Sequence, residues 1–217
     1  MTYRKQIINK TVEFVKKHQA NNEGSHDWWH TYRVWQLSKR LSKDEKVDSL
    51  VVELASLLHD IADYKFHDGD EKLGPKMTQE FLFSLNVDEN TIDHVISILK
   101  NISFLGGQQR KFDSRELDIV QDSDRLDALG AIGIARTFSY GGYKGRAIYD
   151  PNIKPNMNMT KEEYILSDQP TINHFYEKLL LLKNNMRTRQ GRKLAKKRHK
   201  FMEVYLNEFY KEIGNDE

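Results

Sequence analysis

Helical periodicity runs through nearly all of this 217-residue chain, and no segment alternates polar and apolar residues as a half-buried strand would. "YRKQIINKTVEFVKKH" puts Ile7, Ile8, Val12 and Val15 on one stripe with lysines opposite. "HDWWHTYRVWQLSKRL" continues the pattern with Trp29, Val34, Leu37 and Leu41, and Ser25 stands where it caps the helix. "VDSLVVELASLLHDIADY" is apolar on all sides until it meets ionisable residues, which reads as a buried helix. "GPKMTQEFLFSL" and "DENTIDHVISILKNISFL" follow as two further helices. "SRELDIVQDSDRLDALGAIGIARTFSY" is a long helical stretch, bent where Gly130 and Gly133 fall, with Asp113 and Glu116 in capping-box register. The fold expected is all-α: a compact multi-helix bundle forming one domain over residues 1–217.

One segment breaks the pattern. From Ser139 to Met159 the chain holds three glycines and two prolines and has no period. A connection of that length is expected to be a mobile functional loop. Thr160 and Glu163 then match a capping box, and "HFYEKLLLLKNNM" and "RKLAKKRHKFMEVYLNEFYKEI" supply two closing helices.

Composition narrows the chemistry. There is no cysteine, which excludes disulfides, thiolate nucleophiles and cysteine-bound zinc. A metal would have to be held by histidine and carboxylate, a donor set suited to Mn, Fe, Co, Ni or Mg, or to an N/O zinc site. The first residues are charged and amphipathic, unlike a signal peptide, and no run approaches a membrane span. The expectation is a cytoplasmic protein with no membrane partner. Net charge is only +2, yet Lys183 to Lys200 holds nine Lys/Arg and no acid. That stretch reads as the solvated face of a terminal helix, and nucleic acid is not expected as a partner.

The residues that point to chemistry begin with His59-Asp60, where an apolar helix runs into two ionisable groups. Burying such a pair is costly unless it is paired, hydrogen-bonded or metal-bound. His30 lies upstream in "HTYRV" and Asp124 downstream in "DSDRLDALGA". Together they offer two imidazoles and two carboxylates to a divalent ion, with room for water or a phosphate oxygen. His26 and His30, four apart, share a helix face, and Arg33 stands on the next turn.

The ordered set His, His-Asp, Asp resembles the HD-domain phosphohydrolase superfamily. More narrowly, "SHDWWHTYRV", "LLHDIAD", "NISF", "DSDRLDALGAIGIAR" and "NHFYEKLLLLK" resemble its small bacterial hydrolases, from Ser25 to about Met202. Ser123 stands where alanine is more usual. The resemblance implies one divalent ion (Mn, Co, Ni, Fe or Mg) on His30, His59, Asp60 and Asp124. Asp124 is preferred to Asp122 and Asp127 because it precedes the arginine of "DR-L". Asp127 would brace its neighbours, and Asp122 best fits a solvated face. Asp63 would act with Asp60 at the catalytic centre, orienting or deprotonating the attacking water, or else would support a ligating histidine. His26 and Arg33, with Lys144, Arg146 and Lys154 of the Gly/Pro loop, are the substrate-contact residues expected, an exposed polar loop being the alternative for the last three. Arg125 is structural or salt-bridging. His94 approaches without a second histidine near "NISF", so a mononuclear site is expected, and His18, His67, His174 and His199 are structural or surface residues.

The implied activity is hydrolysis of a small phosphorylated molecule, a nucleotide, with a nucleoside triphosphate split to monophosphate and pyrophosphate favoured. The alternatives are a 5′-nucleotidase, a cyclic-nucleotide phosphodiesterase, or a non-catalytic nucleotide- or nucleic-acid-binding module. Sequence leaves the oligomeric state open.

Overall fold

A computed structural model of the chain describes residues 2–20, 27–62, 70, 72–102, 112–159, 163 and 167–214. Among these residues the protein is all-α, with nine α-helices, one 3₁₀ segment and no strand. The chain forms two compact units, Met1–Ser123 and Asp124–Glu217.

In the first unit, helices α1 (Tyr3–Gln19), α2 (Trp28–Leu41), α4 (Leu73–Ser84) and α5 (Glu89–Leu99) accompany α3 (Ser49–Leu58). Seven of the ten α3 residues, Val51, Val52 and Leu54 to Leu58, are buried. A helix apolar all round finds no face to give to water, so α3 becomes the core and packs on α1, α2 and α5. Aspartates start three of these helices. Asp27 accepts from the His30 amide, Asp48 from those of Leu50 and Val51, and Asp88 from that of Thr91. The cap of α2 is therefore Asp27 and not Ser25. Where α2 crosses α3, the hydroxyls of Ser38 and Ser56 meet at 2.7 Å, both fully buried. Only small side chains permit that approach. Trp29, expected on the buried stripe, is 60% exposed, because the stripe of α2 is carried by His30, Thr31, Val34, Ser38 and Leu41 instead.

Helix α6 (Arg115–Asp127) starts at a different cap from the expected Asp113: the Ser114 hydroxyl accepts from the Leu117 amide. It is buried nearly all round. Asp122, expected on a solvated face, is fully buried beside Gln121 and Ser123. The division between the two units falls within this helix.

The second unit holds the end of α6, then α7 (Gly130–Tyr143), α8 (Asn173–Glu177), a 3₁₀ segment (Leu179–Asn185) and α9 (Arg189–Glu212). The bend expected at Gly130 is a full break, with Gly130 at φ +76°. Three arginines tie down the end of α6. Arg125 donates to the Asn185 carbonyl, Arg198 to the Leu126 carbonyl, and Arg136 pairs with Asp127 at 3.1 Å. Helix α7 extends to Tyr143, past the expected loop start at Ser139, because Gly141 leaves room for the Thr171 side chain. Gly145 at φ +66° then turns the chain out of the helix. "NHFYEKLLLLKNNM" is a short helix followed by 3₁₀ turns, not one continuous helix. Phe138, Phe175 and Tyr205 form the aromatic heart of this unit. The Thr160–Glu163 capping box lies largely outside the described residues.

Gly130 combines a left-handed backbone with a Cβ position only 3.1 Å from Arg198 Cγ. Gly130→Ala should destabilise the protein by about 1–3 kcal/mol. Urea unfolding measures this, and an unchanged midpoint would refute the assignment of strain there.

Candidate metal centre

Two imidazoles and a carboxylate converge at the α2–α3 crossing. His30 Nε2 lies 3.2 Å from His59 Nε2, His30 Nε2 lies 3.3 Å from Asp60 Oδ2, and His59 Nε2 lies 3.4 Å from the same oxygen. The three atoms thus form a nearly equilateral triangle. Each is placed by local structure. His30 is the third residue of α2, its amide held by the Asp27 carboxylate at 2.8 Å. The next residue, Thr31, exchanges hydrogen bonds with Gln19 of α1, which fixes this turn of α2 laterally. His59 closes α3 as its C-cap, and Asp60 follows in the turn.

The tautomer of His59 is fixed by its neighbour. Its Nδ1 lies 2.8 Å from the Ser56 carbonyl oxygen. A carbonyl only accepts, so Nδ1 carries a proton, and Nε2 is the ring nitrogen turned towards His30 and Asp60. Binding of the outer nitrogen to a backbone carbonyl is the support that metal-ligating histidines ordinarily have.

Two ring nitrogens and a carboxylate oxygen gathered this closely call for positive charge between them, from a proton or a cation. The His30 and His59 side chains are almost wholly shielded from water, with exposures of 0% and 2%, so solvent supplies little of it. The triangle also has the size a metal needs. With bonds of about 2.1 Å, neighbouring ligands stand about 3.0 Å apart in an octahedron and about 3.4 Å apart in a tetrahedron. The observed edges fall in that interval. The donor set fits a first-row divalent ion.

The remaining expected residues are distributed as follows. Asp63 and His26 lie outside the described residues, as does His67. Arg33 is half-buried on α2, one turn beyond His30. Asp124 and Asp127 belong to the second unit, and Asp127 is almost fully buried against Arg136. In that unit Lys144 Nζ lies over the rings of Tyr140 and Tyr143, at 5.8 and 5.6 Å. Arg146 stacks on Tyr140 and donates to the Ser167 carbonyl. Lys154 is exposed. The Gly/Pro segment carrying these cations is bonded to α8, through Asn156 N–H to Glu177 and Asn173 to the Ile153 carbonyl. Burial pushes the Glu177 carboxyl above its ordinary range, opposed by the Asn156 amide and by Arg146. His94 is occupied by Ser114 and Glu116, at 3.1 and 3.6 Å, in the first unit. His199, expected to be a structural or surface residue, is buried 2.9 Å from Lys183 and 3.2 Å from Glu203.

The support from Ser56 was not foreseen. Its only trace in sequence is that residue 56 stands three before His59, within reach of a side chain folding back along α3.

Removal of either imidazole should empty the centre. His59→Ala is expected to bind no divalent metal in equilibrium dialysis where the parent binds about one equivalent, with its melting temperature no longer raised by Mn²⁺. Equal metal content in both would sink the assignment.

Known proteins resemble this chain over most of its length. The family model described as HD domain matches residues 28–129. The Bacillus subtilis protein YpgQ is 35% identical over 202 residues, covering 92% of this chain and 90% of YpgQ. The crystal structure of an HD-superfamily hydrolase from Bacillus thuringiensis is similar with a TM-score of 0.77 and 41% identity, covering 99% of this chain and all of that one. A crystal structure of YpgQ in complex with ADP is similar with a TM-score of 0.77 and 33% identity, over 96% of this chain and all of that one. With His30 and the His59-Asp60 pair gathered at one point, the chain belongs to the HD-domain phosphohydrolase superfamily and is a hydrolase.

Proposed function

We propose that this hydrolase acts on nucleotides, splitting a nucleoside triphosphate into the monophosphate and pyrophosphate with the help of one divalent ion. The observation that carries the reading is the Nε2–Nε2–Oδ2 triangle with the His59 tautomer already set for coordination. The binding of ADP by YpgQ supports a nucleoside phosphate as the ligand class. The choice of the triphosphate and of the α–β bond rests on the resemblance to the small bacterial HD hydrolases.

In this reading His30, His59, Asp60 and Asp124 hold the ion. When bound, such an ion supplies Lewis acidity that activates water and neutralises phosphate charge. The chain's own residues do the rest. Asp63 orients the attacking water and takes its proton. Oxygen attacks the α-phosphorus in line, the bond to the bridging oxygen breaks, and pyrophosphate leaves with the electron pair. His26 and Arg33 contact the substrate, and Lys144, Arg146 and Lys154 steady the charge spreading over the phosphate oxygens. Asp127 braces the end of α6 through its pair with Arg136.

A panel of nucleoside tri-, di-, mono- and cyclic phosphates, each with Mn²⁺, Co²⁺, Ni²⁺ or Mg²⁺, tests this. Ion-exchange chromatography should show pyrophosphate and monophosphate in equal amounts. Orthophosphate from monophosphates would instead identify a nucleotidase, and opening of cyclic substrates a phosphodiesterase. Asp63→Asn should lower kcat by about 10²–10⁴-fold while metal content stays at one equivalent. An unchanged kcat would remove Asp63 from the chemistry.

A further inference from the structure

The cationic stretch Lys183–Lys200 has no part in the proposed hydrolysis, and the second unit sorts its charges into two groups. Some are used internally. Lys183 Nζ lies 2.9 Å from His199 Nε2, Arg192 donates to the Met186 and Arg187 carbonyls, and Arg198 holds the Leu126 carbonyl. Five others, Arg189, Lys193, Lys196, Lys197 and Lys200, are exposed on α9, and Arg187 is exposed just ahead of it.

Their arrangement on the helix is regular. Helix α9 buries Gly191, Ala195, His199, Met202 and Leu206. At 3.6 residues per turn, the five exposed cations occupy an arc of about 100° on the opposite side, over about 16 Å of axis. Among the described residues only Lys200 of the five has a carboxylate within ion-pair distance, Glu203 at 3.4 Å. Arg189 and Lys193, Lys193 and Lys197, and Lys196 and Lys200 are each four residues apart, so like charges face one another along the stripe. The folded helix keeps that repulsion, and an anionic polymer laid along it would remove it.

The surroundings of the stripe favour one kind of polymer. A helix lying in a lipid surface carries apolar side chains at the middle of its outward face, with cations at the flanks. Here cations hold the middle from Arg189 to Lys200, and the exposed Val204 follows one turn beyond them. Phe201, 52% exposed, stands at the edge of the stripe four residues after Lys197. Exposed aromatic rings beside a row of cations are what unpaired bases stack on.

We propose that the outward face of α9 binds single-stranded nucleic acid without sequence preference. Arg189, Lys193, Lys196 and Lys197 meet the phosphates, and Phe201 meets a base. The surface is independent of the hydrolytic reading, since it uses none of that site's residues.

Fluorescence anisotropy of a labelled mixed-sequence DNA strand of about 20 nucleotides, titrated with the full chain, tests it. Four phosphate contacts predict that affinity falls about 50-fold between about 50 and about 200 mM salt. Lys193→Glu with Lys197→Glu should abolish binding while circular dichroism and nucleotide hydrolysis stay at parental levels. Phe201→Ala should weaken binding of the single strand and leave that of a duplex of the same sequence unchanged. Absence of binding at the lower salt, or binding indifferent to the charge reversal, overturns the proposal. So does tighter binding to phosphatidylserine vesicles than to the strand, which would assign the face to membranes.

Discussion

An imidazole whose outer nitrogen is committed to a backbone carbonyl has one lone pair left, and its direction is fixed. The bond from His59 to the Ser56 carbonyl makes that commitment, and much of the first unit serves to hold it. Helix α3 is buried on every side, so its last turn has little freedom to rotate and take His59 elsewhere. The close contact of Ser38 with Ser56 sets the distance at which α2 passes. Asp27 and Gln19 then fix the turn of α2 from which His30 enters. None of these contacts touches the reacting atoms. Each removes one way in which two imidazoles could drift out of register, and a cluster of ligand atoms is useful only if its edges are held to a few tenths of an ångström. The same network has a cost. Polar groups buried at this point are favourable only while all of them are satisfied, so loss of one partner penalises the remainder.

What was legible in sequence divides along physical lines. Helical periodicity reports burial, and burial is the largest contribution to folding, so the all-α class followed from it. His59-Asp60 stood out because an ionisable pair ending an apolar helix conflicts with the hydrophobic pattern. The Ser56 carbonyl carried no such signal, because every residue has a carbonyl and only the path of the helix decides which one an imidazole meets. The caps failed for a related reason. Ser25 and Asp27, or Asp113 and Ser114, are all good capping residues, and the choice depends on a difference of one or two residues in where the backbone turns. Asp122 reads as solvated because polarity ordinarily signals solvent, yet it is fully buried. In α6 the buried polar residues Gln121, Asp122, Ser123 and Asp127 lie among buried leucines and isoleucines, and periodicity cannot separate such a helix from an amphipathic one. The roles given to Asp124, His26 and Asp63 rest on the resemblance, and the described geometry does not test them.

Helix α6 shows how the second unit stabilises a difficult helix end. The last carbonyls of a helix have no intrahelical donors, and Gly130 turns the chain away at once. The Leu126 carbonyl accepts from the Leu129 amide and also from Arg198, while Arg125 and Arg136 anchor the same end to the Asn185 carbonyl and to Asp127. Arginine suits these positions better than lysine. Its planar fork bonds in fixed directions and tolerates partial burial more readily than a strongly hydrated ammonium. Two of the basic residues in "DRLDALGAIGIAR" are thereby explained as scaffold, with no direct chemical role assigned to them.

Charge counting then constrains the division of labour in the proposed reaction. Two neutral imidazoles contribute no charge. With Asp60 alone, a bound divalent ion would leave the centre at +1, and with Asp124 added it would be neutral. A neutral centre still activates water but attracts a triphosphate weakly over distance. Most of the attraction for the substrate must then come from elsewhere, and the cations at Lys144, Arg146 and Lys154 are suited to it because they lie on a segment with few carboxylates. Arg146 is already half committed to the Ser167 carbonyl and to Tyr140. Lys154, exposed, and Lys144, resting on two exposed-edge tyrosines, pay less to reorient towards an anion. In the proposed reaction the imidazoles and carboxylates would place the reacting centre, and affinity for the substrate would be set by lysines on the segment that follows α7.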